Sequence, residues 1–310
     1  MDTAPRRNPY RHAFAAAAFG LVLLCLLAPA PTEFPFCRPP PDRPVPRDLH
    51  VWVWDGEAAY GVEAGRRFFA LLDAVPVAGV FLAFTPAERE EFLVRRPQVV
   101  RRWLACCHAR GIRVDYLLGE NTWVDPARRP GLRRARDELA RFQAGGAPPE
   151  RFDALHVDVE PHALPEWADP DRRATLAAGL LDVLREARFP GLPLVADVPF
   201  WYASVSHGGG SLLDAVLART DGVVVMNYRT GAADFLAGAA VAQRRAAAAG
   251  KTVRVGVSVE PGLPDGAAWR SWSELVSFLE RVRAPLAAEG RFDGFSIQGY
   301  RELAALLGIR

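Results

Sequence analysis

From Leu49 onward the sequence switches eight times between a strand-like and a helix-like hydrophobic pattern. The strand-like stretches are Leu49–Trp54, Gly79–Phe84, Arg113–Leu118, Ala154–Glu160, Leu194–Val198, Val223–Tyr228, Val253–Glu260 and Gly294–Gln298. Each is rich in the β-branched and aromatic residues that fit a pleated, half-buried surface. Between them apolar residues recur every three to four positions, which predicts helices. These cover Val62–Ala74, Glu88–Arg110 (with a break near Pro97), Leu132–Gln143, Asp171–Arg188, Ser211–Arg219, Ala232–Ala249, Ser273–Glu289 and Arg301–Leu307. Gly111, Gly250 and Gly290 follow predicted helices, where a left-handed residue commonly closes the last turn.

Strict βα alternation admits two α/β layouts, a doubly wound open sheet and a (β/α)₈ barrel. The polar residues favour a single barrel over 48–310. Nearly every predicted strand ends in a reactive or sugar-stacking side chain, and a barrel gathers those ends at one mouth. The ends are Trp54 with Asp55, Glu120 and Asn121 with Trp123, Asp158 and Glu160, Asp197 with Trp201 and Tyr202, Met226 to Tyr228, Glu260, and Gln298 with Tyr300. The fourth strand is the most informative. Alternation sends His156, Asp158 and Glu160 to one face and Leu155, Val157 and Val159 to the other. That suits a barrel strand with helices packed outside and polar groups feeding the C-terminal mouth. His156 is expected to hydrogen-bond Asp158 within the core. Asp158 and Glu160 also admit a plain structural reading, as an ion-pair network with Arg254.

The first 47 residues differ in kind. Arg6, Arg7 and Arg11 precede an apolar run from Ala13 to about Ala28, and Ala28-Pro29-Ala30 offers a small-x-small cleavage site. Residues 1–30 therefore read as a signal peptide or signal anchor, and 31–47, rich in proline, as a linker. The protein is expected to be exported, with membrane contact only through an uncleaved leader. Thirty-eight basic against 36 acidic residues leave a net charge of +2, which calls for no nucleic acid. The four cysteines form neither a disulfide framework nor a zinc spacing, and a single bridge from Cys37 to Cys106 or Cys107 is left open. No cofactor is implied. Nor is a metal, since ligands confined to one strand span too far for one ion.

Asp153, Asp158 and Glu160 resemble the strand-four signature of glycoside hydrolase family 18, the chitinase-like barrels, which reads Asp-x-x-Asp-x-Asp-x-Glu. Met226 and Tyr228 resemble that family's strand-six Met-x-Tyr. The resemblance implies a carbohydrate substrate, with Glu160 as the general acid on the glycosidic oxygen. It implies that Asp158 and Tyr228 hold a substrate acetamido group and that Met226 helps floor the pocket. His156 stands where the family has its second Asp. Gln298 and Tyr300 stand near the place of its strand-eight Trp, and Arg229 follows Tyr228 where an Asp is frequent.

A second catalytic reading pairs Glu160 with Glu260, as acid/base and nucleophile on strands four and seven of a retaining barrel glycosidase. Substrate contacts are expected at Asp55, Glu120, Asn121, His156, Asp197, Trp201, Met226, Gln298 and Tyr300. Trp123, Trp167 and Trp201 suit either sugar stacking or loop packing. The non-catalytic alternative is a barrel that binds glycan without turnover. Hydrolysis of other bonds on the same fold is a further one.

Overall fold

The computed structural model describes residues 48–261 and 269–309. The expected leader (1–30), the linker (31–47) and Cys37 lie outside the described residues. The eight parallel strands are β1 (Leu49–Val53), β2 (Val77–Ala83), β3 (Arg113–Leu118), β4 (Ala154–Val157), β5 (Leu194–Pro199), β6 (Gly222–Met226), β7 (Thr252–Ser258) and β8 (Phe292–Gln298). They close in the order β1-β8-β7-β6-β5-β4-β3-β2, as a (β/α)₈ barrel. The helices that follow them are α1 (Val62–Ala74), α2 (Pro97–Ala109), α3 (Pro130–Gly145), α4 (Pro170–Ala187), α5 (Leu212–Leu217), α6 (Ala232–Ala248), α7 (Trp272–Ala288) and α8 (Tyr300–Leu306).

Local chemistry sets the helix ends. Asp169 accepts the Asp171 and Arg172 amides ahead of Pro170, and Ser271 accepts the Glu274 amide. Gly111 and Gly250, both at φ 70°, turn the chain out of α2 and α6. The expected long helix over Glu88–Arg110 is broken as foreseen. A short helix over Pro86–Arg89 and a π-helical turn over Glu90–Arg95 stop at Arg96, and α2 starts afresh at Pro97. Cys106 on α2 is disulfide-bonded, and Cys107 beside it is a buried free thiol.

Trp52, Phe81, Ala83, Leu117 and Val224 pack together as a cluster on the inward parity of the strands, with Val195 against them. At the N-terminal end, acids just before or at the start of strands clamp the neighbouring strand. Asp153 accepts the Val114 amide at 2.7 Å, Asp221 the Leu194 amide at 2.8 Å, and Asp293 pairs with Arg254 at 2.5 Å. Asp153, the first acid of the strand-four signature, therefore serves the closed end of the barrel. Arg254, expected as a partner for the strand-four acids, is engaged there too.

Two strands, β1 and β2, stop one residue short of their predicted ends, and three stop two or three residues short. β4 ends at Val157, β6 at Met226 and β7 at Ser258. Past β4, Asp158 still donates its N–H to the Leu118 carbonyl at 2.8 Å. The Glu160 N–H turns instead to the Asn121 side chain at 2.7 Å, and Pro161 has no N–H to continue a ladder. Glu160, Tyr228 and Glu260 thus stand on loops at the mouth rather than in the sheet.

Candidate active site

The mouth is built around the β4 end. Val157 pairs with Ala196, so Asp158 and Asp197 are the next residues up on adjoining strands, both on the inner face. Asp197 is buried, and both its oxygens are engaged. Oδ2 accepts the Trp52 Nε1–H at 2.9 Å, and Oδ1 lies 2.8 Å from His156 Nε2. His156 therefore bonds across to β5 rather than along its own strand to Asp158. Residues two apart on a strand are separated by about 6.6 Å, while the neighbouring strand is about 4.8 Å away. Burial pushes the His156 pKa down to about 3, so the ring is neutral. Its Nδ1 has no partner, which fits the tautomer whose Nε2–H donates to Asp197.

Three carboxyls crowd this spot. Asp158 remains partly accessible as a residue, but its Oδ1 is shut off from solvent and lacks a hydrogen-bond partner. Burial raises its pKa well above the usual carboxylate range, and the charges of Asp197 and Glu160 raise it further. Burial also raises Glu160. Asp197 is raised by burial and by Glu160, against a lowering from the Trp52 hydrogen bond. Such a cluster titrates as a unit and keeps a proton to higher pH than isolated acids do.

Two tyrosines face the cluster. Burial first, and then the charges of Asp158, Asp197, Glu160 and Glu260, push the Tyr228 hydroxyl upward. The structure thus draws Tyr228, Asp158, Glu160 and Glu260, the four expected catalytic residues, into one electrostatic neighbourhood. Tyr202 is raised by burial and by Glu160 and Asp158. Its hydroxyl lies 3.2 Å from His162 Nδ1, and His162 Nε2 lies 3.6 Å from Glu160 Oε1. Burial holds His162 down to about 4, so a neutral imidazole adjoins Glu160.

The two flanks of the mouth differ. On the β5 side, Trp201 lies edge-on to His162 (centroids 5.2 Å apart) and near Trp167 (6.1 Å). Trp201 and Trp167 line a cavity of about 450 Å³ that Arg173 borders. On the β1–β8 side, a cavity of about 320 Å³ is lined by Trp54, Asp55, Glu88, Glu260, Tyr300 and Arg301, among others. Gln298 links this wall. Its Nε2 donates to Glu260 at 3.0 Å, and its Oε1 lies 3.4 Å from Trp54 Nε1. Met226 ends β6 on the inward face and is nearly buried.

Other expected contacts are tied to the protein itself. Asp55 caps the turn at Glu57 and pairs with Arg301 at 2.6 Å. Glu120 accepts the Thr122 hydroxyl at 2.8 Å, and Asn121 holds the Glu160 loop. The Tyr300 ring is buried near Phe68. Trp123 is also buried, its indole nitrogen beside Gly131 at the start of α3. Among the described residues no group of three His, Cys, Asp or Glu is placed to hold a metal ion.

Trp54, a predicted strand end outside the expected catalytic residues and substrate contacts, stands at the mouth. It is 42% exposed, the only aromatic among the exposed large hydrophobic residues described. Its six-membered ring lies over Gly119, where a Cβ would come within 2.7 Å of the ring. The indole therefore reaches from β1 across the mouth, with Gln298 of β8 on one side and the end of β3 on the other. Its place at a strand end was readable in the sequence. Its partners were not.

No protein-family model matches the chain, and no curated protein matches it in sequence. Solved structures share its fold. A family 18 chitinase from Pseudoalteromonas aurantia superimposes with a TM-score of 0.53 at 13% identity, covering 85% of this chain and 100% of that one. The C-terminal domain of a candidate chitinase from Desulfitobacterium hafniense gives 0.51 at 14% identity, covering 84% and 97%. The chain thus has a chitinase-like (β/α)₈ barrel fold.

Proposed function

We propose that this protein is an exported glycoside hydrolase, a divergent relative of the family 18 barrels, that cleaves glycosidic bonds in an extracytoplasmic or cell-wall glycan. One observation carries the reading. Asp158, Glu160 and Tyr228 meet at the C-terminal mouth of the barrel, where burial and mutual repulsion keep a proton on the carboxyl cluster. A carboxyl that stays protonated toward neutral pH is what a general acid requires.

In this reading Glu160, partly exposed at the mouth, protonates the leaving glycosidic oxygen. Asp158 and Tyr228 lie beneath the reacting sugar and orient the group that attacks or stabilises its anomeric carbon. His162 adjoins Glu160 and limits water around it. Trp54 offers its face to a sugar ring on the β1–β8 side, and Trp167 with Trp201 does so on the β5 side.

A second reading has its own support. Glu260 acts on the same Tyr228 hydroxyl as Glu160, as a glutamate pair across the mouth would. The test is product release by the wild type and by Glu260→Gln, on N-acetylated glycans, cell-wall polymers and neutral polysaccharides. An active Glu260→Gln variant supports the Asp158–Glu160 reading. An inactive one supports the glutamate pair. Binding without product from any substrate would favour a non-catalytic glycan-binding barrel.

A further inference from the structure

Among the three crowded carboxyls, Asp197 is the one with a donor on each oxygen. Trp52 Nε1–H reaches Oδ2 at 2.9 Å, and His156 Nε2 lies 2.8 Å from Oδ1. All three side chains are almost wholly buried, Trp52 at 1%, His156 at 0% and Asp197 at 4% exposure. The chain of contacts runs through the barrel from β1 to β5 to β4. Asp158, the cross-strand neighbour of Asp197, has an Oδ1 with no donor at all. Hydrogen bonds to a carboxylate favour its charged form, and a carboxylate favours a proton on the acid next to it.

We propose that Asp197 is a positioning residue for the Asp158–Glu160 pair, with Trp52 and His156 fixing it as the site's resident carboxylate so that the shared proton stays on the pair. Asp197 acts through Asp158 and does not touch substrate, because its side chain is wholly buried and both of its oxygens already face protein donors. His156 is thereby explained. It interrupts the run of acids on β4, and the carboxylate it displaces is supplied one strand away, across the His156–Asp197 hydrogen bond. No bond to carbon forms or breaks in this step. A single proton is shared between Asp158 and Glu160, and Asp197 holds none.

The groups that face this cluster come from six strands or the loops that follow them. Glu160 and His162 follow β4, Tyr202 follows β5, Tyr228 follows β6 and Glu260 follows β7. Below His156 lie Asp115 and Arg113 of β3, Arg254 of β7 and His50 of β1. Asp197 differs from the other acids at the mouth in being held by neutral N–H donors on both oxygens. Those two donors favour the charged form and oppose the burial that raises its pKa.

The direct test is a carboxyl ¹³C NMR titration of the wild type and of Asp197→Asn, a substitution that keeps the shape and removes the charge. The midpoints of Asp158 and Glu160 are expected to fall by about 1 pH unit in the variant. If the protein cleaves a glycan, the alkaline limb of its kcat/KM profile should fall by a similar amount. A folded Asp197→Asn variant whose Asp158 and Glu160 midpoints do not move overturns the proposal. Trp52→Phe removes one donor and keeps the ring, so it serves if Asp197→Asn does not fold, with a smaller shift in the same direction expected and no shift overturning the proposal. The kinetic arm alone rests on the glycosidase reading. A shifted titration without turnover would defeat that reading and leave this one standing, and turnover with unshifted midpoints would do the reverse.

Discussion

The backbone N–H of Glu160 donates to the side-chain oxygen of Asn121 at 2.7 Å, which ties the loop after β4 to the loop after β3. The bond sits where the β4 ladder has ended and no strand partner is left for Glu160. It therefore fixes the height of the Glu160 carboxyl above the barrel.

Asn121→Ala should loosen that loop. We expect kcat to fall about 10-fold with KM little changed, since small misplacements of a reacting group cost rate. Stability should fall by about 1 kcal/mol for the lost hydrogen bond. Steady-state kinetics and urea unfolding check both. A larger change in KM than in kcat would place Asn121 against substrate instead.

Trp54 should act in binding. Trp54→Ala is expected to raise KM about fivefold and leave kcat within about twofold, in line with about 1 kcal/mol for an aromatic face on a ring. Trp54→Phe should retain most of the affinity. Gln298→Ala, which removes the side chain beside the indole nitrogen, should weaken binding less than Trp54→Ala does. Calorimetric titration with an oligosaccharide orders the three variants.

Stability should depend on pH through Asp158. Its folded pKa is raised by burial, then by Asp197 and Glu160, above an unfolded value near about 3.9. The folded state then binds more protons than the unfolded one at pH values between the two. The stabilisation is complete below the unfolded pKa and is lost as pH rises toward the folded one. Asp158→Asn should flatten that decline and raise the Tm at neutral pH. A Tm series from pH 4 to pH 8 on both proteins decides it, and parallel curves would show that Asp158 carries no such cost.

Much of the barrel was legible because hydrophobic period follows burial. The helix over Val62–Ala74 was delimited to the residue, and the break at Pro97 follows from proline chemistry alone. The predicted strands ran long where the pattern outlasts the ladder. Val159 is buried beyond the end of β4, so its hydrophobicity carries no sign that pairing has stopped. The site was legible as a set of strand ends, since a barrel must bring those together. Its pairings were not. Trp54 and Gln298 are 244 positions apart, and His156 finds Asp197 through β-sheet register that one sequence does not reveal. His156 was expected to hydrogen-bond Asp158 on its own strand. That expectation weighed closeness in sequence over the shorter distance between neighbouring strands.

The central claim is that Glu160 is the acid. The most direct measurement is kcat for Glu160→Gln on a glycan that the wild type cleaves, with folding checked by circular dichroism. The account predicts a loss of about 10²- to 10⁴-fold with binding retained, since the amide keeps the shape and cannot give up a proton. A folded Glu160→Gln variant that turns over at the wild-type rate would contradict it.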